Sequence, residues 1–194
     1  HWYPLLSDLT PMTKVYDILP EALLIADDFG WPVFVKGERQ TSRHKASTSI
    51  IHSPAQFEQL LETWKTDPIL NWQKMVCRQF VELERIEESK SDRIPSSFEF
   101  RLFYWKNKLA GFGRYWFEGK VYSLEEGAQK AAFSLAEEVA NRINVTFLVV
   151  DLARTVSGKW IVIEINDGQE SGFAGGYPKG IWDFIIQHEI QPSA

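Results

Sequence analysis

Apolar residues recur along the chain with two spacings, one typical of helices and one typical of strands. Residues 54–65 predict a helix that starts after Ser53, with four apolar side chains on one face: Phe57, Leu60, Leu61 and Trp64. Further helices are predicted over residues 20–29 and, behind Ser123 as N-cap, up to Asn144. Strands are predicted over residues 32–36, 48–51, 75–81, 98–105 and 108–117, followed by a hairpin over residues 149–166. This alternation predicts an α/β (α+β) protein.

The hairpin, VVDLARTVSGKWIVIEIN, carries polar residues where apolar ones are expected. A two-residue loop at Ser157 and Gly158 places Asp151 directly opposite Glu164, and Asn166 emerges on the same face because side chains alternate. Two facing carboxylates repel each other, whereas a hard divalent cation such as Mg²⁺ binds oxygen ligands. The spacing fits either a metal site on these three residues or an acidic sheet face in solvent. A loop of odd length would shift the register and remove the pairing.

A lysine ends the first predicted strand, immediately before a polar loop over residues 37–47. This loop contains Thr41, Ser42, Arg43, His44 and Lys45. Lys36, together with backbone amides and hydroxyls of such a loop, could hold nucleotide phosphates, although a strand-terminal lysine is also common on a solvated surface. Since no apolar residue anchors the loop before Ile50, the loop is expected to be mobile until a nucleotide binds.

Charged residues also lie on the two strands that flank residues 106–107. Glu99 and Arg101 share one face of their strand, and a two-residue turn places Glu99 opposite Arg114. This pair is either a structural salt bridge or a carboxylate for a ribose hydroxyl beside guanidinium groups for an anion.

Composition limits the function classes. The 194 residues suffice for one domain or two small lobes, and 44 % apolar with 24 % charged residues is typical of a soluble globular protein. The net charge of -5 argues against broad binding to nucleic acids or anionic membranes. Cys77 has no second cysteine to pair with, and there is neither a membrane-spanning apolar run nor a signal peptide, so a cytoplasmic location is expected. The start at His1 rather than methionine is compatible with a fragment.

Taken in order, these segments resemble the ATP-grasp superfamily. Residues 31–36, WPVFVK, look like the strand with the phosphate-binding lysine, and residues 78–83, RQFVEL, look like the strand whose backbone contacts adenine. Residues 98–102, FEFRL, resemble the segment in which an acidic residue meets the ribose. Asp151 with residues 162–166, VIEIN, resembles the magnesium-binding hairpin. The resemblance covers nearly the whole chain and implies the ATP-grasp fold, with two α+β lobes whose mostly antiparallel sheets clamp the nucleotide.

The resemblance implies three parts along the chain. Residues 1–19 would be a lead-in, the remnant of a preceding domain that family members usually have. Residues 20–81 would form the small lobe, and residues 82–194 the large lobe with the metal-binding hairpin. The charged insert over residues 84–97 is longer than a hinge needs, and it is interpreted as a mobile cover or a partner-binding element.

The resemblance also implies ATP and Mg²⁺ as cofactors and a ligase that activates a carboxylate as an acyl phosphate for attack by an amine. The partners would be ATP and small carboxylate and amine substrates, such as an amino acid or a peptide, with no nucleic acid and no membrane. The alternatives are a non-catalytic ATP-binding module and a kinase of the same fold.

Residue roles follow from the same resemblance. The residues expected to bind the nucleotide are Lys36, Lys45, Gln79, Phe80, Val81, Glu82 and Glu99, with Val33, Val35 and Ile163 beside the adenine ring. The expected metal ligands are Asp151, Glu164 and Asn166. Arg101 and Arg114 are expected to stabilise the acyl phosphate, and Ser171 and Gly172 to approach the acceptor. Removing the charge of either carboxylate ligand is expected to leave the ligand-free protein equally or more stable.

Overall fold

The computed structural model describes residues 2–40, 44–88 and 91–190. The chain folds as two compact units. The larger unit contains residues 2–10, 82–88 and 96–190, and the smaller unit contains the described part of residues 11–81 and 89–95. The residues predicted as a lead-in are therefore divided between the two units.

The smaller unit is an antiparallel four-stranded sheet with helices on one face. Its strands are β1 (Thr13–Tyr16), β2 (Val33–Gly37), β3 (Ile50–Ile51) and β4 (Met75–Gln79), in the order β1-β4-β2-β3. Its helices are α1 (Ala22–Phe29), α2 (Ala46–Ser49) and α3 (Pro54–Thr66). The Oγ of Ser53 caps α3 by accepting from Gln56 N at 3.3 Å, as predicted, and Gly30 ends α1 with a φ of +68°.

Alternation along β2 decides which of its side chains are available to a ligand. Val33 and Val35 are fully buried against core residues of α1 and α3. The expectation that they flank adenine is therefore wrong, because both point into the core under the helices. Phe34 and Lys36 point to the opposite face of the sheet and are half-buried.

The larger unit is a second antiparallel four-stranded sheet, with a helix against each face. Its strands are β5 (Glu99–Trp105), β6 (Lys108–Arg114), β7 (Phe147–Arg154) and β8 (Trp160–Asp167), in the order β6-β5-β7-β8. A 3-10 helix (Tyr3–Leu5), α4 (Glu126–Arg142) and α5 (Pro178–Ile190) complete it. α4 packs on the face that carries Phe100 and Val150, and α5 packs on the opposite face over Phe103 and Val149.

Several elements differ from the prediction. β1 and α5 were not predicted, and residues 48–51 are divided between the end of α2 and the short β3. α4 begins after Glu125 without a side-chain cap, so the prediction of Ser123 as its N-cap is wrong. None of the helices in the described ranges combines the length and the hydrophobicity that a membrane crossing requires.

Candidate functional site

The predicted pairing of Asp151 with Glu164 is present, although the predicted turn is not. Arg154 pairs with Trp160, and the amide of Thr155 donates to the carbonyl of Lys159 at 2.9 Å, so the loop has three residues, 156–158, instead of two. The register then shifts between Asp151 and Leu152, where one extra residue of β8 bulges out of the ladder. Beyond this bulge Asp151 faces Glu164, and Val149 faces Asn166. The odd loop and the bulge cancel, so both carboxylates and the amide share one face.

A third charged residue extends this pair into a row across three strands. Arg101 on β5 is the partner of Asp151 on β7, which in turn faces Glu164 on β8. The guanidinium of Arg101 binds the carboxylate with two parallel hydrogen bonds, Nε to Oδ1 at 2.8 Å and Nη2 to Oδ2 at 2.7 Å. Asp151 is 1 % exposed and Arg101 is 9 % exposed. The positive charge beside the facing carboxylates is therefore supplied by the protein itself.

The electrostatics of this row depend on that pair. Burial raises the pKa of Asp151, the Arg101 hydrogen bonds and charge oppose the rise, and the charge of Glu164 adds to it. Burial works to lower the pKa of Arg101, but the hydrogen bonds and charge of Asp151 raise it overall. Because a guanidinium does not lose its proton in proteins, the two groups form a buried ion pair.

Arg101 also holds the glycine-rich segment that follows β8. Its Nη1 donates to the carbonyl oxygen of Gly172 at 2.8 Å, and the neighbouring Ser171 donates from Oγ to the carbonyl of Asp167 at 2.8 Å. The guanidinium carbon lies 5.0 Å from the ring centroid of Tyr115, whose pKa is raised to about 12 by burial and then by the charge of Glu99. Tyr115 was not predicted as a site residue. No spacing in the sequence marks it, because β6 ends at Arg114.

Glu99 lies two residues before Arg101 on the same face of β5 and is 5 % exposed. Its Oε2 accepts from Ser97 Oγ at 3.0 Å and from Trp116 Nε1 at 2.9 Å. Burial, followed by the charge of Asp151, raises the pKa of Glu99 to about 8. The carboxyl group therefore holds its proton at neutral pH and can donate a hydrogen bond as well as accept one.

The predicted pairing of Glu99 with Arg114 is wrong. The turn at residues 106–107 forms as expected, but the register shifts between Phe103 and Tyr104, and Arg114 pairs with Phe100 instead. Arg114 therefore points to the α4 face, with its guanidinium 5.7 Å from the ring centroid of Tyr122. Its Nη1 is buried and has no hydrogen-bond partner among the described residues. The structure does not bring Arg114 to Arg101 and Asp151.

In the smaller unit, the candidate phosphate-binding residues lie near the ends of the predicted loop. Lys36 is beside Val76 on the sheet face that α1 and α3 leave uncovered, next to Phe34. Lys45 forms a single β-bridge with Arg93 and immediately precedes α2. Thr41, Ser42 and Arg43 lie outside the described residues, and so does the part of the loop-mobility prediction that concerns them.

The segment expected to contact adenine is where the chain passes from the smaller unit to the larger one. At one end the amide of Gln79 donates to the carbonyl of Met12 at 2.8 Å. At the other end the carbonyl of Glu82 accepts from the amide of Val156 at 3.1 Å. Phe80 and Val81 lie between these two points and are half-buried. The segment is thus fixed at both ends by main-chain hydrogen bonds.

The donor set on the sheet face fits a hard divalent cation. No cluster of three or more His, Cys, Asp or Glu suited to a metal occurs in the described ranges, so the candidate set is two carboxylates, Asp151 and Glu164, with the amide of Asn166. Each ionised carboxylate offers about four lone-pair positions, and Arg101 uses two of those on Asp151. Asp151 therefore keeps lone pairs beyond those two, and carboxylate and amide oxygens are the kind of ligand that Mg²⁺ takes.

Comparison with known families and structures agrees with this geometry. A family model described as an ATP-grasp domain matches residues 28–185. No curated protein matches the chain in sequence.

The solved structures that resemble the chain include ligases and synthetases. D-alanine–D-alanine ligase from Bacillus anthracis, solved with ATP, has a TM-score of 0.61 at 16 % identity over 95 % of this chain and 62 % of its own. N5-carboxyaminoimidazole ribonucleotide synthetase from Thermotoga maritima has a TM-score of 0.54 at 18 % identity over 84 % of this chain and 39 % of its own. L-amino acid ligase from Bacillus licheniformis has a TM-score of 0.53 at 14 % identity, with coverages of 84 % and 38 %. The chain thus spans less than two thirds of each of these proteins, and the likeness establishes the fold.

Proposed function

Because the chain belongs to the ATP-grasp domain family, we propose that it is an ATP- and Mg²⁺-dependent ligase that joins a carboxylate to an amine. The observation that carries this proposal is the row of Arg101, Asp151 and Glu164 across three strands, with Asn166 on the same face. A buried ion pair beside a second carboxylate is expensive to maintain in a sheet, and it is suited to a site that binds phosphates and a cation.

The smaller unit would supply the first contacts to the nucleotide. Lys36, on the uncovered face of its sheet, would neutralise phosphate oxygens together with Lys45 at the end of the loop. The main chain at Phe80 and Val81 would contact adenine, since both ends of that segment are already fixed. Pre-fixed backbone lowers the entropy lost on binding.

The larger unit would bind the ribose and the metal. The raised pKa of Glu99 leaves its carboxyl group able to donate a hydrogen bond to a ribose hydroxyl at neutral pH. Asp151, Glu164 and Asn166 would hold Mg²⁺, which would offset the negative charge that develops on the phosphates. The positive charge of Mg²⁺ would also lower the pKa of Asp151, in the same sense as Arg101 does.

The reaction would take place in two displacement steps beside Arg101. A carboxylate oxygen of the substrate attacks the γ-phosphorus, the bond to the bridging oxygen breaks, and ADP leaves. The amine nitrogen then attacks the acyl carbon and loses a proton, and phosphate leaves with the electron pair of its C–O bond. The guanidinium of Arg101, held by Asp151, stays aligned and offers fixed positive charge to the oxyanions of both steps.

The glycine-rich segment would present the acceptor substrate. Arg101 fixes the carbonyl of Gly172, and Ser171 is held to Asp167 at the end of β8. Gly172 itself is exposed, and a Cβ there would meet nothing within 4 Å, so a substrate can approach this main chain closely. The nature of the acid and the amine would be selected around this segment.

The test is to supply Mg-ATP with a panel of amino acids and peptides and to measure ADP, free phosphate and the mass of the product. A ligase releases ADP and phosphate in equal amounts and forms an amide. A kinase releases ADP without phosphate, and a non-catalytic module releases neither. Glu164→Gln should abolish turnover, whereas Glu58→Gln, an exposed glutamate of α3, should leave it unchanged. Full activity in Glu164→Gln would refute the proposed site.

A further inference from the structure

The charged insert over residues 84–97 is attached to the larger unit at its beginning and end. Glu84 donates its amide to the carbonyl of Arg154 at 2.8 Å and accepts from the amide of Phe98 at 2.7 Å. The side chains of Glu84 and Arg154 form two further hydrogen bonds, at 2.6 and 2.7 Å, and the guanidinium carbon lies 4.1 Å from the ring centroid of Phe98. Arg85 and Ser97 form a β-bridge beside them. The ends of the insert are thus tied to β7 and β5.

The middle of the insert belongs to the smaller unit. The carbonyl of Asp92 accepts from the amide of Ala46 at 2.7 Å. Its carboxylate Oδ1 accepts from the amide of Ser47 at 2.9 Å, and its Oδ2 accepts from the Ser47 hydroxyl. Lys45 and Arg93 form a β-bridge next to these contacts. One residue of the insert therefore receives three hydrogen bonds from the first turn of α2.

Asp92 takes the place of a local cap for α2. The N-cap position of this helix is Lys45, which makes no side-chain capping hydrogen bond, and a lysine has no acceptor with which to make one. The hydrogen bonds from Ser47 lower the pKa of Asp92, so its carboxylate stays ionised and can serve the exposed amides of the turn. The end of the predicted phosphate loop is thus held from a distant part of the chain.

The beginning of the same loop is held independently of the insert. Glu38 donates its amide to the carbonyl of Lys74 at 3.0 Å, and Arg39 donates its amide to Gln73 Oε1 at 2.8 Å. These contacts of Glu38 and Arg39 therefore do not involve Asp92.

We propose that the insert is a strap and that Asp92 is a positioning residue, which sets Lys45 and the adjoining main chain for the phosphates of the nucleotide. This deepens the proposed function and rests on it. Asp92 acts through the hydrogen bonds that it accepts and not through its own charge on the ligand. Removing the acceptors should weaken phosphate binding strongly, and neutralising the carboxylate while keeping one acceptor oxygen should weaken it less.

The experiment compares the affinity of the full chain for Mg-ATP and for adenosine. Asp92→Ala should bind Mg-ATP about tenfold more weakly, the size expected from losing charge-assisted hydrogen bonds, with unchanged affinity for adenosine. Asp92→Asn should lie between this variant and wild type. The matched control is Asp8→Ala, since the Asp8 carboxylate also accepts two hydrogen bonds, from Arg142 at 2.6 and 2.9 Å, but belongs to the larger unit and not to the unit that contains the loop. It should change neither affinity.

A second measurement requires no nucleotide. Trypsin should cleave after Lys45 faster in Asp92→Ala than in wild type or Asp8→Ala, because the turn that follows this residue loses its cap.

The possible outcomes separate the strap from the proposed function. Equal weakening of Mg-ATP and adenosine in Asp92→Ala, or unchanged binding of both, overturns the strap and leaves the nucleotide site intact. Tighter Mg-ATP binding by Asp92→Asn would show that Asp92 acts by repelling phosphates, and it would also overturn the strap. Failure of wild type to bind Mg-ATP refutes the proposed function together with the inference.

Discussion

Neutralising Asp151 and neutralising Glu164 should change the stability of the ligand-free protein differently, although the two carboxylates face each other. Sequence reasoning treats them alike and expects no loss of stability from either change. In the structure Asp151 is 1 % exposed and receives both hydrogen bonds of the Arg101 fork, whereas Glu164 is partly exposed at the far end of the row. The expectation for Asp151 is therefore corrected, because its removal leaves a buried guanidinium without its counter-ion.

The two magnitudes follow from burial. Removing one partner of a buried ion pair costs about 3–5 kcal/mol, and Asp151→Asn should fall near the lower limit because the amide keeps one acceptor oxygen. Glu164→Gln changes the charge at a partly exposed position, where the effect on the unfolding free energy is less than about 1 kcal/mol. For a protein of this length, a loss of about 3 kcal/mol lowers the melting temperature by roughly 10 °C.

Urea unfolding without nucleotide measures both values, and repeating it with Mg-ATP measures the gain from the ligand. Asp151→Asn should unfold at clearly lower urea than wild type, and Glu164→Gln at the same or slightly higher urea. Both variants should lose most of the stabilisation that Mg-ATP gives to wild type by mass action. Glu58→Gln should match wild type throughout. This account of the charge row would be refuted if Asp151→Asn were as stable as wild type. It would also be refuted if Glu164→Gln lost as much stability as Asp151→Asn.

Four further substitutions test other parts of the molecule. Lys36→Ala should lose most ATP turnover while the fold stays intact, because Lys36 is half-buried on the sheet face opposite to Val33 and Val35. Wild-type rates would remove Lys36 from the site. The pKa of Glu99 is raised from 4.5 to about 8. The contribution of this group to the unfolding free energy is therefore complete below pH 4.5 and is lost as the pH rises through 8. In Glu99→Gln the unfolding free energy should fall less steeply between these two pH values than in wild type. Gly113→Ala places a Cβ 2.1 Å from the amide nitrogen of Gly176 and should destabilise the protein. The Cβ of Gly127→Ala meets nothing within 4 Å, so this substitution should stabilise α4 by up to about 1 kcal/mol. Thermal unfolding measures both effects.

The hairpin shows both the reach and the limit of sequence reasoning. Alternation and a turn signal predict that Asp151 faces Glu164, and the structure pairs them. The predicted two-residue loop with a regular register was nevertheless wrong. Neither the longer loop nor the bulge before Leu152 can be recognised in the alternation of polar and apolar residues. A bulge of the same kind between Phe103 and Tyr104 removed the expected pairing of Glu99 with Arg114. Register errors of one residue are decided by local backbone geometry, which a single sequence does not specify.

The ion pair of Arg101 and Asp151 could not be predicted from the sequence for a different reason. Both residues were singled out, but for separate roles on segments 50 positions apart. Their contact requires β5 to pair with β7, and a long-range pairing of this kind does not follow from turn signals. α5 was missed although Ile181 and Ile185 have helical spacing, because the glycine-rich stretch before it obscured the start. β1 is four residues long and carries too little pattern to be recognised.

The position of the polar row on the sheet has a simple cause in the extent of α5. On the face that α5 covers, Phe103 on β5 and Val149 on β7 pair with each other beneath the helix. Two residues further along, the same face carries Arg101 and Asp151, which also pair. On this face, β5 and β7 therefore both change from apolar to charged residues at the same level of the sheet, which is next to the part that α5 covers. This common level cannot be recognised from one strand alone, because it depends on which residues of β5 and β7 are paired. The candidate site thus lies next to the part of the sheet face that α5 covers.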